Sequence, residues 1–120
     1  MYDHAADTDE ARADLGSRVL DQISPGWDRR IDLGTLDIAD PYRCILCQLY
    51  GSFREGLDQL WCEEQRHHTL TALGVPPWDR SESQATSLGF AIVNFTQNVA
   101  QTAAWTRLIR ARRAAQTPVA

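Results

Sequence analysis

Tyr42, Ile45, Leu46, Leu49, Tyr50 and Phe53 recur at helical spacing. A stripe of this kind leaves water as the buried face of a helix packed on other helices. Ala11, Leu15, Val19, Leu20 and Ile23 repeat the pattern nearer the N-terminus, and Ala100, Ala104, Trp105, Leu108 and Ala111 repeat it near the C-terminus. Strand-type alternation is confined to Ile31/Leu33 and Leu36/Ile38, on either side of Gly34. A sheet needs partner strands, and the rest of the chain offers few. The expected fold is therefore all-α: a compact orthogonal bundle of four or five helices, with a semi-extended connector after helix 1.

Turn and cap residues divide the stripes. Helix 1 is expected from Asp9 to Ile23, with Thr8 as N-cap, and Ser24-Pro25-Gly26 ends it. Residues 27–38 read as a buried, semi-extended connector that drapes its apolar residues over the helices. Asp40 and Pro41 suit the N-cap and first position of helix 2. Gly51 ends that helix if Ser52 and Glu55 form a capping box for the next, which carries Leu57, Leu60 and Trp61; one helix running through Gly51 is the alternative. His67 to Leu73 reads as a weaker helix closed by Gly74, and Val75-Pro76-Pro77-Trp78 as a stiff loop. Ser81 and Gln84 form a second capping box for a short helix that stops at Gly89. Ile92 and Val93 suit a short extended piece, and the last helix is expected from Gln97 to Ala115. The 120 residues make one domain, with residues 1–7 and 116–120 expected to fray.

Hydrophobic residues make up 43% of the chain and charged residues 23%, so a core forms without metal or disulfide staples. No apolar run is long enough to cross a bilayer. The segment Met1 to Asp7 is acidic and unlike a secretory signal, so the expected location is the cytoplasm. Three cysteines, an odd number, suit a reducing compartment better than a disulfide framework.

The charge is unevenly placed. Residues 1–40 hold ten acids and four arginines, a net of −6, whereas residues 83–120 hold four arginines and no acid. Either the two ends neutralise each other, or the arginine-rich end is a surface for nucleic acid. The net charge of −4 favours the first, because a dedicated nucleic-acid binder needs an excess of base to displace counterions. All twelve basic residues are arginine, which fits a GC-rich genome, since arginine codons are largely GC-rich and lysine codons are not.

Pro25-Gly26-Trp27, Ile31-Asp32-Leu33, Leu36-Asp37-Ile38 and Cys44-Ile45-Leu46-Cys47-Gln48-Leu49-Tyr50-Gly51 together resemble a group of short uncharacterised proteins of actinobacteria and their phages. Leu88-Gly89-Phe90 and Ala104-Trp105-Thr106-Arg107-Leu108-Ile109-Arg110 fit the same pattern, so the resemblance spans Ser24 to Arg113. It consists of core and turn residues rather than a catalytic signature. It implies a GC-rich source, possible phage derivation and no activity. In that group glycine usually stands at the position of Cys47, which argues against a shared metal role for the cysteine pair.

Cys44, Cys47, Cys62 and His67 or His68 supply enough thiolate and imidazole for a four-coordinate zinc site. Zinc knuckles place such a pair in a tight turn, whereas this pair falls in a helical stretch, so buried apolar filler is the favoured reading and no cofactor is expected. The same pair suits a redox dithiol, with Cys44 in the first turn of helix 2, although the βαβ setting of thioredoxin-type motifs is missing. Asp28, Asp32, Asp37 and Asp40 are numerous enough for paired-carboxylate chemistry, but most such residues are turn formers and caps. Arg107, Arg110, Arg112 and Arg113 are the candidates for gripping phosphate, with Trp105 as a stacking face. Tyr2, Trp27, Trp78 and Trp105 are candidate binding anchors.

With no catalytic motif, the expected function is that of a small non-enzymatic accessory protein, acting by binding another protein and not a membrane. A nucleic-acid-associated regulator using the last helix is the alternative, and a small zinc-binding or redox protein is a further one.

Overall fold

Thr8 opens the first helix as its side chain accepts a hydrogen bond from the Ala11 N–H at 3.0 Å, with Asp9 and Glu10 in the turn that favours negative charge. In the computed structural model, which describes residues 8–74, 82–92 and 94–116, this helix (α1) spans Asp9–Ile23. Six more follow among the described residues: α2 Trp27–Arg30, α3 Ile45–Tyr50, α4 Phe53–His67, α5 Thr69–Ala72, α6 Glu82–Ser87 and α7 Phe95–Gln116. The described residues form no strand, and the protein is an all-α bundle.

Several local signals act as their chemistry dictates. Gly51 adopts a φ of 99° and ends α3, and the Ser52 side chain then accepts from the Glu55 N–H at 3.1 Å to open α4. The turn after α6 closes on Gly89, whose φ is 77°. The loop at 75–78, Ser81 and Val93 lie outside the described residues, as do Tyr2 and Trp78.

Three expectations are corrected. The semi-extended connector after α1 does not begin at Trp27, because Gly26 takes a left-handed φ of 83° and Trp27–Arg30 form one helical turn. Residues 33–35 and 38–39 then make turns, in which Asp32 Oδ1 accepts from the Gly34 N–H and Asp37 Oδ1 from the Ala39 N–H. The alternation of Ile31, Leu36 and Ile38 reflects burial without a sheet.

Helix 2 does not start at Asp40. Its side chain instead closes a turn over Pro41–Arg43 by accepting from the Tyr42 N–H at 2.8 Å. Cys44 is the cap of α3, with Sγ accepting from the Cys47 N–H at 3.2 Å. Tyr42 therefore falls off the apolar stripe and is 77% exposed.

The third correction concerns phase. On α7, Gln101, Ala104, Trp105 and Ile109 are buried, while Ala100 and Ala111 are exposed. A fully buried glutamine sits in the stripe because its partners lie on α1: its Nε2 donates to Asp9 O at 3.0 Å, and its Oε1 accepts from Arg12 Nε at 3.1 Å.

The core joins two helix pairs. α1 packs on α7 at Gly16, where an added Cβ would lie 2.1 Å from Leu88 O and 2.9 Å from the Trp105 ring. α3 packs on α4 at Gly56, where an added Cβ would lie 2.5 Å from the Leu46 Cβ. Trp27 meets Trp105 edge-on, and Phe90 stacks on Trp105, each at 5.7 Å between ring centres. The Trp105 indole N–H donates to Gly89 O, so this large ring is buried with its polar atom satisfied.

Candidate functional site

The four arginines of α7 do not form one free basic surface. Arg107 pairs with Glu10 at the start of α1. Arg112 holds Asp21 through both terminal nitrogens, at 2.7 Å to Oδ1 and 2.7 Å to Oδ2, donates to Ser17 Oγ at 3.2 Å, and lies over the Trp27 ring. Arg113 donates to the carbonyls of Asp28 and Ile31, which the end of α2 leaves without helical partners. Arg110 alone of the four is exposed and has no ion pair among the described residues. Trp105 and Trp27 are fully buried, so neither offers a stacking face or an anchor to a partner.

Burial acts to raise the Asp21 carboxyl, but hydrogen bonds from Arg112 and Trp27, with the Arg112 charge, outweigh it and hold the group below its ordinary value. The same carboxylate raises Arg112. This pairing ties the acidic first helix to the arginine-rich last one.

The clustered carboxylates are likewise engaged in structure. Asp28 is buried and accepts from Gln116 Nε2 at 2.7 Å, Asp37 accepts from Asn98 Nδ2 at 2.9 Å, and Asp32 and Asp40 close turns. Buried Glu64, which no sequence motif marked, accepts from the Leu70 N–H at 2.7 Å and from Thr71 Oγ1 at 3.1 Å, and so caps α5.

The cysteines do not assemble with histidine. Cys44 and Cys47 are joined in a disulfide, while Cys62 is exposed on α4. His67, also exposed, lies 3.7 Å from Glu63. Among the described residues no three His, Cys, Asp or Glu side chains gather in a metal-binding set. The spacing suited zinc, but the bend at Cys44 turns the two sulfurs toward each other.

The feature that sequence reasoning missed is a shallow groove of about 530 Å³ between the 36–39 loop and the outer face of α7. Leu36, Val99 and Ala103 supply its apolar lining, Asn98, Thr102 and Thr106 its polar side, and Arg107 and Arg110 its basic end, while the Asp37 carboxylate, also in the lining, is taken up by the Ala39 N–H and Asn98 Nδ2. The loop is fastened there by backbone N–H groups, with Ile38 donating to Thr102 Oγ1 at 3.1 Å and Ala39 to Asn98 Oδ1 at 3.0 Å. Val99 is 75% exposed. Its signal in the sequence was a valine half a helical turn away from the stripe that centres on Trp105.

Family models, characterised proteins and solved structures yielded no match to this chain. No helix among the described residues is long and apolar enough to cross a membrane.

Proposed function

We propose that this protein is a non-enzymatic accessory protein that works by binding another protein, and that the groove beside α7 receives a short acidic segment of its partner. The observation that carries this reading is the combination, in one concave surface, of a solvent-exposed Val99 with Arg110, which has no ion pair among the described residues. An exposed apolar side chain beside a free cation suits a segment that presents one apolar residue and one carboxylate. The polar edge at Asn98 and Thr102 is held by the 36–39 loop, so the groove is preformed and little ordering is needed on binding.

The internal use of Arg107, Arg112 and Arg113 is what sets the nucleic-acid alternative second. The test is selection from a random peptide display library on the purified protein. Enrichment of peptides with an acidic residue beside an apolar one, lost with Val99→Arg and with Arg110→Glu, is expected. No enrichment, or enrichment indifferent to both substitutions, overturns the reading.

A further inference from the structure

The Cys44–Cys47 disulfide is not placed where a covalent staple is useful. Cross-links stabilise chiefly by closing long loops in the unfolded chain, and this one encloses only Ile45 and Leu46. The segment it closes is already ordered by the Cys47 N–H on Cys44 Sγ and by the helix that follows. The same frame also suits the two thiols. Cys47 Sγ lies 3.0 Å from Pro41 O, a distance at which an S–H group donates to that carbonyl, and Cys44 Sγ keeps the Cys47 N–H at 3.2 Å. Reduction then requires the two sulfurs to move apart to van der Waals contact, with an acceptor for the Cys47 thiol already beside it.

We propose that Cys44 and Cys47 form a reversible dithiol–disulfide couple that exchanges with low-molecular-weight disulfides and thiols of the glutathione class. The inference is independent of the groove. Both cysteines are almost fully buried, and the cover over Cys47 is the turn Pro41–Arg43, whose three residues are exposed. That turn is held by bonds from the Arg43 N–H to Asp40 O and from the Asp37 N–H to Arg43 O, each at 3.3 Å, and by Gln48 Nε2 on Arg43 O at 3.0 Å. A three-residue exposed turn opens locally without unfolding the helices beneath it.

The chemistry balances. In the oxidising direction the Cys47 thiolate attacks one sulfur of the small disulfide, forms a mixed disulfide and releases one thiolate. The Cys44 thiolate then attacks Cys47 Sγ, completes the internal bond and releases the second. The protein loses two electrons and two protons, and two molecules of small thiol carry them away. In the reducing direction a small thiolate attacks Cys47 Sγ and Cys44 leaves. The Cys47 N–H aimed at Cys44 Sγ stabilises the negative charge on that leaving sulfur.

The test uses the full chain with Cys62→Ser, which removes the exposed thiol. Protein is equilibrated in glutathione buffers running from fully oxidised to fully reduced, quenched in acid and alkylated, and the blocked thiols are counted by mass. The expected result is a shift from no alkylated thiols to two within that range, with the helical circular dichroism unchanged. In the Cys44→Ser variant, Cys47 is expected to accumulate as a stable mixed disulfide with glutathione. A bond that persists in fully reduced buffer, thiols that stay free in fully oxidised buffer, or loss of helix on reduction would each overturn the proposal.

Discussion

Arg112, in the last helix, holds both carboxylate oxygens of Asp21, in the first, at 2.7 Å. The two residues are 91 positions apart, and Trp27 completes the arrangement by donating its indole N–H to Asp21 at 3.0 Å while lying beneath the guanidinium. Part of the charge asymmetry in the sequence is thus met within the fold. The acidic N-terminal helix and the basic C-terminal helix are partners along one seam, with Glu10–Arg107 nearer one end and Asp21–Arg112 nearer the other.

Acid should loosen this seam. The Asp21 carboxyl is held below its unfolded value, so its contribution is complete above about pH 4 and is lost as pH falls through the folded pKa. Thermal midpoints measured between pH 2 and pH 6 should fall at the acid end, and Asp21→Asn should flatten that part of the curve. The pair is roughly one-third exposed, so Arg112→Ala should remove only about 1 kcal/mol. An acid limb identical in wild type and Asp21→Asn would assign the acid sensitivity to other carboxylates.

The close approach of α1 to α7 makes a sharper test. Gly16→Ala places a methyl group against the backbone carbonyl of Leu88 and the Trp105 ring, neither of which is the far end of a flexible side chain. The substitution should destabilise by about 1–3 kcal/mol or more, against the stabilisation that alanine ordinarily brings to a helix interior. A midpoint in urea at or above that of wild type would mean that the two helices do not meet at this residue.

The second helix pair is probed by Leu46. It is fully buried against Gly56, and Leu46→Ala should cost about 2–5 kcal/mol. Leu49, on the same apolar stripe but only half-buried, should cost distinctly less when cut to alanine. Equal losses at the two positions in chemical denaturation would misplace the face of α3.

The parts of the fold that were legible in the sequence are those governed by local chemistry. Thr8, Gly51, Ser52 and Gly89 each bound an element through a hydrogen bond or a backbone angle that depends on a few neighbouring residues. What was not legible depended on partners far along the chain. Gln101 is buried because Arg12 and Asp9 reach it across the α1–α7 seam, and no periodicity of α7 alone announces that. The alternation of Ile31 to Ile38 reads as strand because turn residues and buried residues also alternate when a loop is pinned to a helix. Of the candidate site, the arginines and cysteines were visible as residue types, but which arginine stays unpaired and which cysteines meet were decided by tertiary geometry. The groove needed the docked loop and was not readable from either of its sides separately.

Metal should make no difference to folding. The sulfurs of Cys44 and Cys47 are bonded to each other, and Cys62 and His67 are exposed on α4. Protein purified without chelator should carry zinc well below one per chain and keep its helical circular dichroism in EDTA. Stoichiometric zinc with loss of helix on chelation would require the cysteines to be rearranged around a metal.

The last prediction separates a protein partner from a nucleic acid. Arg107, Arg112 and Arg113 are engaged with Glu10, with Asp21 and with the carbonyls at the end of α2, so releasing them to phosphate means breaking the contacts of α7 with α1 and α2. Of the four arginines of α7, Arg110 is the one without an ion pair among the described residues, on a chain whose net charge is −4. Non-specific binding to DNA draws its energy from the counterions displaced by each neutralised phosphate, and the one unpaired arginine on this face displaces about one. Wild-type protein should therefore give no gel shift with duplex DNA or single-stranded RNA at physiological salt, and Arg110→Gln should change nothing in that assay while it weakens peptide capture by the groove. Replacing all four arginines by glutamine is a poor control, because it removes the seam as well as the charge. The informative comparison is Arg110→Gln against Val99→Arg, which adds a cation to the same face without touching the seam. A sequence-preferring complex of submicromolar affinity in wild type, tighter than the roughly micromolar or weaker binding expected of non-specific contact, and weakened by Arg110→Gln, would make this face a nucleic-acid surface and end the protein-partner reading.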